Sequence, residues 1–160
     1  FEKEADFVEL TNGEIILGSI AKDNIGNRKG YLILNETKYN YKEISSYQKD
    51  KRYFKKDQYN DFNERIVKGN INVYRSERGG QTTNGHGKTS SYSYTVFFLQ
   101  KGDAGIITEV RYVVSEFKKM IQDYQPALDE YNKYEALSSK QKKSLGNNYM
   151  SNIISIYNRK

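Results

Sequence analysis

The chain has 160 residues, with 26 basic and 20 acidic side chains, one histidine, and neither cysteine nor tryptophan. That length fits one domain, read as residues 1–160 with a strand-rich part at 6–114 and a helical part at 115–160. The lack of cysteine excludes disulfides, thiol catalysis and thiolate metal sites, and no apolar run approaches the roughly 18 residues of a membrane-spanning helix.

The net charge of +6 raises nucleic acid as a partner class. Its distribution is even: residues 114–160 hold eight basic and five acidic side chains, and residues 1–113 hold eighteen and fifteen. A mildly basic, solvated surface accounts for that spread. Fifteen tyrosines supply much of the apolar area. Tyrosine buries a ring while its hydroxyl reaches water or a partner, which suits a sheet with half-wet faces.

Residues 1–5 read as a lead-in. The chain starts at Phe1 rather than methionine, and the expectation is a processed N-terminus from which a leader has been removed. Val8 to Ile20 then reads as a β-hairpin. Asn12-Gly13 is the preferred pair for a two-residue loop, in which both residues take positive φ. Gly18 falls inside the return strand, where glycine marks a bulge, a bend or a close backbone approach. A strand that bends over itself suggests a small closed barrel.

Asp23 to Gly30 is turn chemistry. Tyr31 to Leu34 reads as a strand and Asn35-Glu36-Thr37 as the next turn, the latter also an N-glycosylation sequon. Tyr39, Tyr41 and Ile44 continue strand alternation. Ser45 to Asn63 reads as a long polar connection, Arg65 to Arg75 as a strand, and Glu77 to Ser91 as a mobile loop. Tyr92 to Gln100 and Ile106 to Val114 read as an antiparallel hairpin.

From Ser115 the period changes. Phe117, Met120, Ile121 and Tyr124 fall on one helical face, with Ser115 as N-cap. Pro126 opens a second helix with Leu128, Tyr131, Tyr134 and Leu137 on its apolar face and Asp129 and Glu130 in its first turn. Lys140 to Leu145 is a linker or short helix. A third helix runs from Asn148 to Tyr157.

Motifs for chemistry are sparse. Thr82 to Thr89, TTNGHGKT, falls one residue short of a phosphate-binding loop, because threonine stands where the first glycine belongs. Its Lys88-Thr89 end runs into a strand pattern, whereas that motif opens a helix. His86 has no second histidine or cysteine at metal or catalytic spacing. Asp57 with Asp61 has no spacing specific to acid–base work. No catalytic residue, metal ligand or cofactor is assigned. Lys49 to Lys56 interleaves charge with Tyr53 and Phe54, a composition suited to single-stranded nucleic acid. Lys51, Arg52 and Tyr53 are its contact candidates, and a polar connection anchored by its rings is the plainer account.

Two resemblances follow from these residues. Leu10-x-x-Gly13-x-x-x-x-Gly18-x-Ile20 with Asp23 and Asn27, and Val67 to Tyr74 with Lys68-Gly69, resemble the two motifs of Sm-like small barrels. That resemblance implies a five-stranded barrel, usually in a ring, that contacts RNA through Asp23, Asn27 and Lys68. The Asn-, Lys- and Tyr-rich texture with the opening DFVELTNGEIILGSI resembles uncharacterised exported proteins of Gram-negative bacteria. It implies a periplasmic, outer-membrane-associated or secreted location and no known activity; the partner expected there is an unknown protein or glycan of the envelope. The fold expected is α+β: an antiparallel sheet or small SH3/Sm-like β-barrel followed by two or three C-terminal helices, which cover its apolar face. The function expected is a non-catalytic exported binding or structural module, with Sm-like nucleic-acid binding as the alternative.

Overall fold

A computed structural model describes residues 5–26, 28–146 and 148–160. The fold is α+β. Eleven strands among the described residues form two sheets. Strands β1 (Asp6–Leu10), β2 (Ile15–Gly18), β6 (Ile44–Lys49), β7 (Arg52–Lys56), β8 (Phe62–Val67), β9 (Ile71–Thr83), β10 (Thr89–Lys101) and β11 (Thr108–Glu109) form an antiparallel sheet. Their order is β11-β10-β9-β8-β7-β6-β1-β2. Strands β3 (Ile20–Gly26), β4 (Lys29–Leu34) and β5 (Thr37–Asn40) form the second sheet, also antiparallel.

The barrel does not close. The larger sheet is open, with β2 and β11 as its edges. The physical reason lies at Gly18. The strand expected to bend there instead ends, and after Ser19 the chain starts β3 in the other sheet. The glycine serves a close approach. A Cβ at Gly18 would sit 2.2 Å from the Asn35 side-chain amide, which accepts from Ser19 N at 3.0 Å and donates to Leu17 O at 3.0 Å.

The hairpin turns also differ from expectation. Around Asn12-Gly13 the loop has three residues, closed by Gly13 N donating to Leu10 O and Leu10 N to Glu14 O. Gly13 has φ +87° and Asn12 is not in the positive-φ region. This is the type I turn followed by a left-handed residue, the next commonest hairpin connection. The tight two-residue turns with two positive φ values lie at Asn35-Glu36 and Asp50-Lys51.

Ser45 to Asn63 is therefore no loose connection. It holds β6, β7 and the start of β8, with Tyr47 opposite Phe54. The Asp50-Lys51 turn that joins β6 and β7 is hidden inside a run of charges. Glu77 to Ser91 is likewise mostly strand: β9 and β10 run thirteen residues each, and the turn between them is only Asn84 to Lys88. The stretch Arg65 to Arg75 is split by a connection at 68–70.

The chain divides into two compact units. The first comprises Phe1–Ile66 with Tyr74–Val96, and the second Val67–Val73 with Phe97–Lys160. In the first, Val8, Ile44 and Tyr47 from the larger sheet share a core with Ile20, Leu32 and Leu34 from the smaller one. Alternation explains it: Val8 pairs with Ile16 on one side and Tyr47 on the other, all on one face.

The second unit is built on helices α1 (Val110–Val113), α2 (Phe117–Ile121), α3 (Gln125–Glu135), α4 (Ser139–Leu145) and α5 (Asn148–Tyr157). Helix therefore begins five residues before the expected Ser115, and β11 is only two residues long, pairing with Phe98 and Leu99. Phe117 and Ile121 are fully buried, and Met120 and Tyr124 pack on their cluster, as the period required. In α3 the buried residue is Ala127, with Tyr131 packed on the cluster and no acidic residue in the first turn. Helix α5 has the expected bounds and buries Met150, Ile153, Ile154 and Tyr157. Among the described residues no helix is long and apolar enough to cross a membrane.

Candidate functional site

The first unit carries a cleft of about 490 Å³ between side chains of β3, β6, β7, β8, β9 and β10 and the turns beside them. Its aromatic wall is local strand alternation made visible. Tyr47 and Phe54 are cross-strand partners and stack with ring centroids 4.7 Å apart. Phe62 meets Tyr47 edge-on at 5.2 Å and Tyr41 edge-on at 5.3 Å. Tyr94 adds a half-exposed ring from β10. Tyr41 sits in a single 3-10 turn, Tyr41–Glu43, which turns its side chain inward.

The polar rim is set by turns. Arg28, at φ +58° in the β3–β4 turn, makes a two-pronged ion pair with Asp61: Nε to Oδ1 at 2.8 Å and Nη2 to Oδ2 at 2.9 Å. That planar fork is the stronger form of a carboxylate–guanidinium contact. The hydrogen bond from Arg28 holds the Asp61 carboxyl below its usual range, against the opposing effect of its partial burial. Ser76, Glu77, Arg78 and Gly79 of β9 complete the lining.

Tyr41 is the unusual member. Its residue is 6% exposed and its hydroxyl has no hydrogen-bond partner among the described residues. Burial pushes the phenol up, helped by the negative charges of Asp61 and Asp57 and opposed by Arg28. A buried hydroxyl left unbonded is costly, and native structures rarely leave one without a water or ligand to meet it.

The residues singled out from the sequence fall in several places. Asp23 lies exposed on β3, where its Oδ2 accepts from the Tyr47 hydroxyl at 3.3 Å and its Oδ1 from Ile25 N. Burial, then Asp23, raises the Tyr47 phenol. Asn27 lies outside the described residues. Lys51 is exposed in the β6–β7 turn. Arg52 is bound two-pronged to Glu64, at 2.8 and 3.0 Å, and its guanidinium lies 5.2 Å from the Phe54 ring centre. Tyr53 receives Arg65 over its ring at 4.0 Å. Lys68 is exposed and belongs to the second unit, whereas Asp23, Lys51, Arg52 and Tyr53 belong to the first.

Gly69, beside Lys68, has a packing reason of its own. A Cβ there would lie 2.4 Å from the side chain of Asn158, whose amide bonds both Ile71 N and Ile71 O. His86 is exposed at the tip of the β9–β10 turn. Asp57 serves its turn: Oδ1 accepts from Tyr59 N and Asp61 N, and Oδ2 from Asn63 Nδ2. Glu130 and Asp129 bond Lys133, Asn152 and Gln125 on and beside α3. Among the described residues no three histidine or acidic side chains are grouped to hold a metal.

From the sequence, Asp61 stands out only beside Asp57, and nothing there joins it to Arg28, Tyr41, Phe62 and Tyr94 as a site. Arg28 and Asp61 are 33 residues apart, and each sits in a turn whose composition speaks only of turning. The alternation of Tyr47, Tyr53, Phe54 and Phe62 with polar residues was the available signal. Comparison with protein-family models, with curated proteins and with solved structures found no match.

Proposed function

We propose that this chain is a non-catalytic binding module of an exported protein and that the aromatic cleft of its first unit is the binding site. One observation carries the reading. Five aromatic side chains converge with a two-pronged Arg28–Asp61 pair and the unpartnered hydroxyl of Tyr41. A cleft of this volume in which aromatic side chains meet several convergent polar groups has the form of a small-ligand site. The carboxylates singled out as acid–base candidates are occupied elsewhere, Asp57 by its turn and Asp61 by Arg28. Export, with a partner in the envelope, rests on the sequence texture alone.

The test is a ligand screen read by thermal shift on the full chain. A ligand that binds only the folded state raises Tm by mass action. The expected result is stabilisation that disappears in Arg28→Gln and Tyr94→Ala. Stabilisation that both variants retain removes the cleft from the reading. The N-terminus of the full-length gene product tests export.

A second reading keeps nucleic acid. Arg65 stacked over Tyr53, beside the exposed Lys51, supports it. It requires RNA affinity that falls steeply with salt and weakens in Lys68→Ala and Asp23→Ala. Absence of binding to single-stranded RNA at low salt removes it.

A further inference from the structure

We propose that the cleft receives a neutral sugar, a single hexose ring or the end of a short uncharged glycan. This rests on the reading of the cleft as a binding site and names the class of ligand.

Charge comes first. The charged side chains lining the cleft are Arg28, Arg78, Asp61 and Glu77, two of each sign. The Arg28 fork that would grip a phosphate or carboxylate is filled by Asp61. A cation would need several carboxylates together, and the described residues provide no such group. The lining therefore offers neither a free anion clamp nor a cation cage.

Chemistry of the walls comes next. Phe54 and Phe62 present partly open ring surface, with Tyr47 buried against Phe54, and the exposed ring of Tyr94 faces the same space from β10. A purely apolar ligand would cover these rings but would also strip water from Arg28, Asp61 and Glu77 without replacing its hydrogen bonds, which is costly. A pyranose suits both halves. Its C–H face packs on aromatic rings, and its hydroxyls both donate and accept. A carboxylate offers about four acceptor positions. Arg28 uses one on each Asp61 oxygen, so the carboxylate can still accept from a sugar hydroxyl.

The Tyr41 hydroxyl supplies an independent observation. It belongs to a lining residue that is more than nine-tenths buried, and it has no hydrogen-bond partner among the described residues. Its oxygen is closed to solvent, so a ligand hydroxyl completes it only once the side chains over it move aside. A peptide would be held instead through backbone pairing along a strand edge, and this cleft is lined by side chains. Its volume of about 490 Å³ lies within the 300–1,000 Å³ of small-molecule sites.

The experiment is an amide NMR titration of the full chain with maltose, cellobiose and N,N′-diacetylchitobiose. Glucose 6-phosphate serves as the charged comparator, and indole, benzoate and adenosine as non-sugar probes. The expected result is that at least one neutral disaccharide shifts amides at Ile25, Phe62 and Glu77 to Gly79, and that glucose 6-phosphate binds no better than it. Tyr94→Ala and Arg28→Gln, both at exposed positions, should each weaken that sugar at least about tenfold. Tyr41→Phe should weaken it without lowering Tm, because the variant removes an unbonded hydroxyl and keeps the ring. A sugar whose affinity ignores all three variants overturns the proposal. Cleft shifts with the non-sugar probes and none with the disaccharides overturn the sugar assignment and leave the binding site standing. Silence with every probe overturns both.

Discussion

Two asparagines show how single residues fix this fold. Asn35 and Asn158 each seat a side-chain amide where a glycine has no Cβ, and each bonds backbone N–H and C=O groups there. Each amide thus stands in for a strand neighbour. Gly18→Ala should displace Asn35 and cost about 1 kcal/mol, the net worth of a hydrogen bond whose groups can turn to water once it is lost. Denaturant unfolding of Gly18→Ala, Asn35→Ala and the double variant checks this. The two losses should be strongly non-additive, since both remove one arrangement. Neither device was legible in the sequence. Gly18 reads as a bend and Gly69 as part of a motif, because the partner asparagines Asn35 and Asn158 lie far along the chain.

Glu64 gives a residue-scale pH dependence. The hydrogen bond from Arg52, with Arg75 adding a second, holds its carboxyl below the ordinary range despite partial burial. A depressed folded value means stability that is fully present above about pH 4.3, the unfolded carboxyl value. That stability is lost as pH falls through the folded value. Glu64→Gln should flatten the acid limb of the stability–pH curve and cost about 1 kcal/mol at neutral pH, because both arginines are largely exposed. An unchanged acid limb in urea titrations at pH 3 to 6 would discard this assignment.

At the scale of elements, the turns explain which parts of the sequence could be read. Helix α5 was read to the residue, because its apolar positions repeat at helical spacing between polar neighbours. The strand pairing within Ser45 to Asn63 is hidden in the sequence, because the Asp50-Lys51 turn is charged and the inward positions there are the aromatics Tyr47, Phe54 and Phe62 among polar residues. The proximal parts of β9 and β10 are legible as strands, but their distal part, 77–91, reads as a loop because it is rich in serine, threonine and glycine. Asn84 holds the turn of that ribbon. Its Oδ1 accepts from His86 N at 3.1 Å and Lys88 N at 3.0 Å, and Gly87 follows at φ +74°. Gly87→Ala should cost about 1–2 kcal/mol by forcing a side chain into left-handed geometry. Hydrogen exchange should show faster opening of Thr82 to Ser90 in that variant and little change in α5.

For the whole molecule, the α+β class was legible and the closed barrel was not. Barrel closure was inferred from one glycine inside an apolar strand. What that glycine accommodates lies elsewhere in the chain, so local sequence could not separate a bend from a change of sheet. The cleft was illegible for the same reason, since its rim joins turns far apart in sequence. Two buried clusters, one around Leu32 and Tyr47 and one around Phe117 and Ile153, hold the two units. Ile153→Ala, at a site 1% exposed, should cost about 2–5 kcal/mol. The loss should register first as reduced exchange protection at Phe117, Ile121 and Met150. Equal loss at Val8 and Leu32 would show one cooperative core instead of two.

Among the described residues the three-residue turn occurs three times: Thr11-Asn12-Gly13, Gln58-Tyr59-Asn60 and Gly85-His86-Gly87. Each closes with the same pair of backbone bonds, and each ends on a left-handed residue. The last two also share an Asx side chain that accepts from the same two amides. The tips are therefore interchangeable parts. Exchanging Gln58-Tyr59-Asn60 with Gly85-His86-Gly87 keeps every backbone bond of both turns, so the chain offers ready-made ports for grafting a foreign sequence without redesigning the strands that carry it.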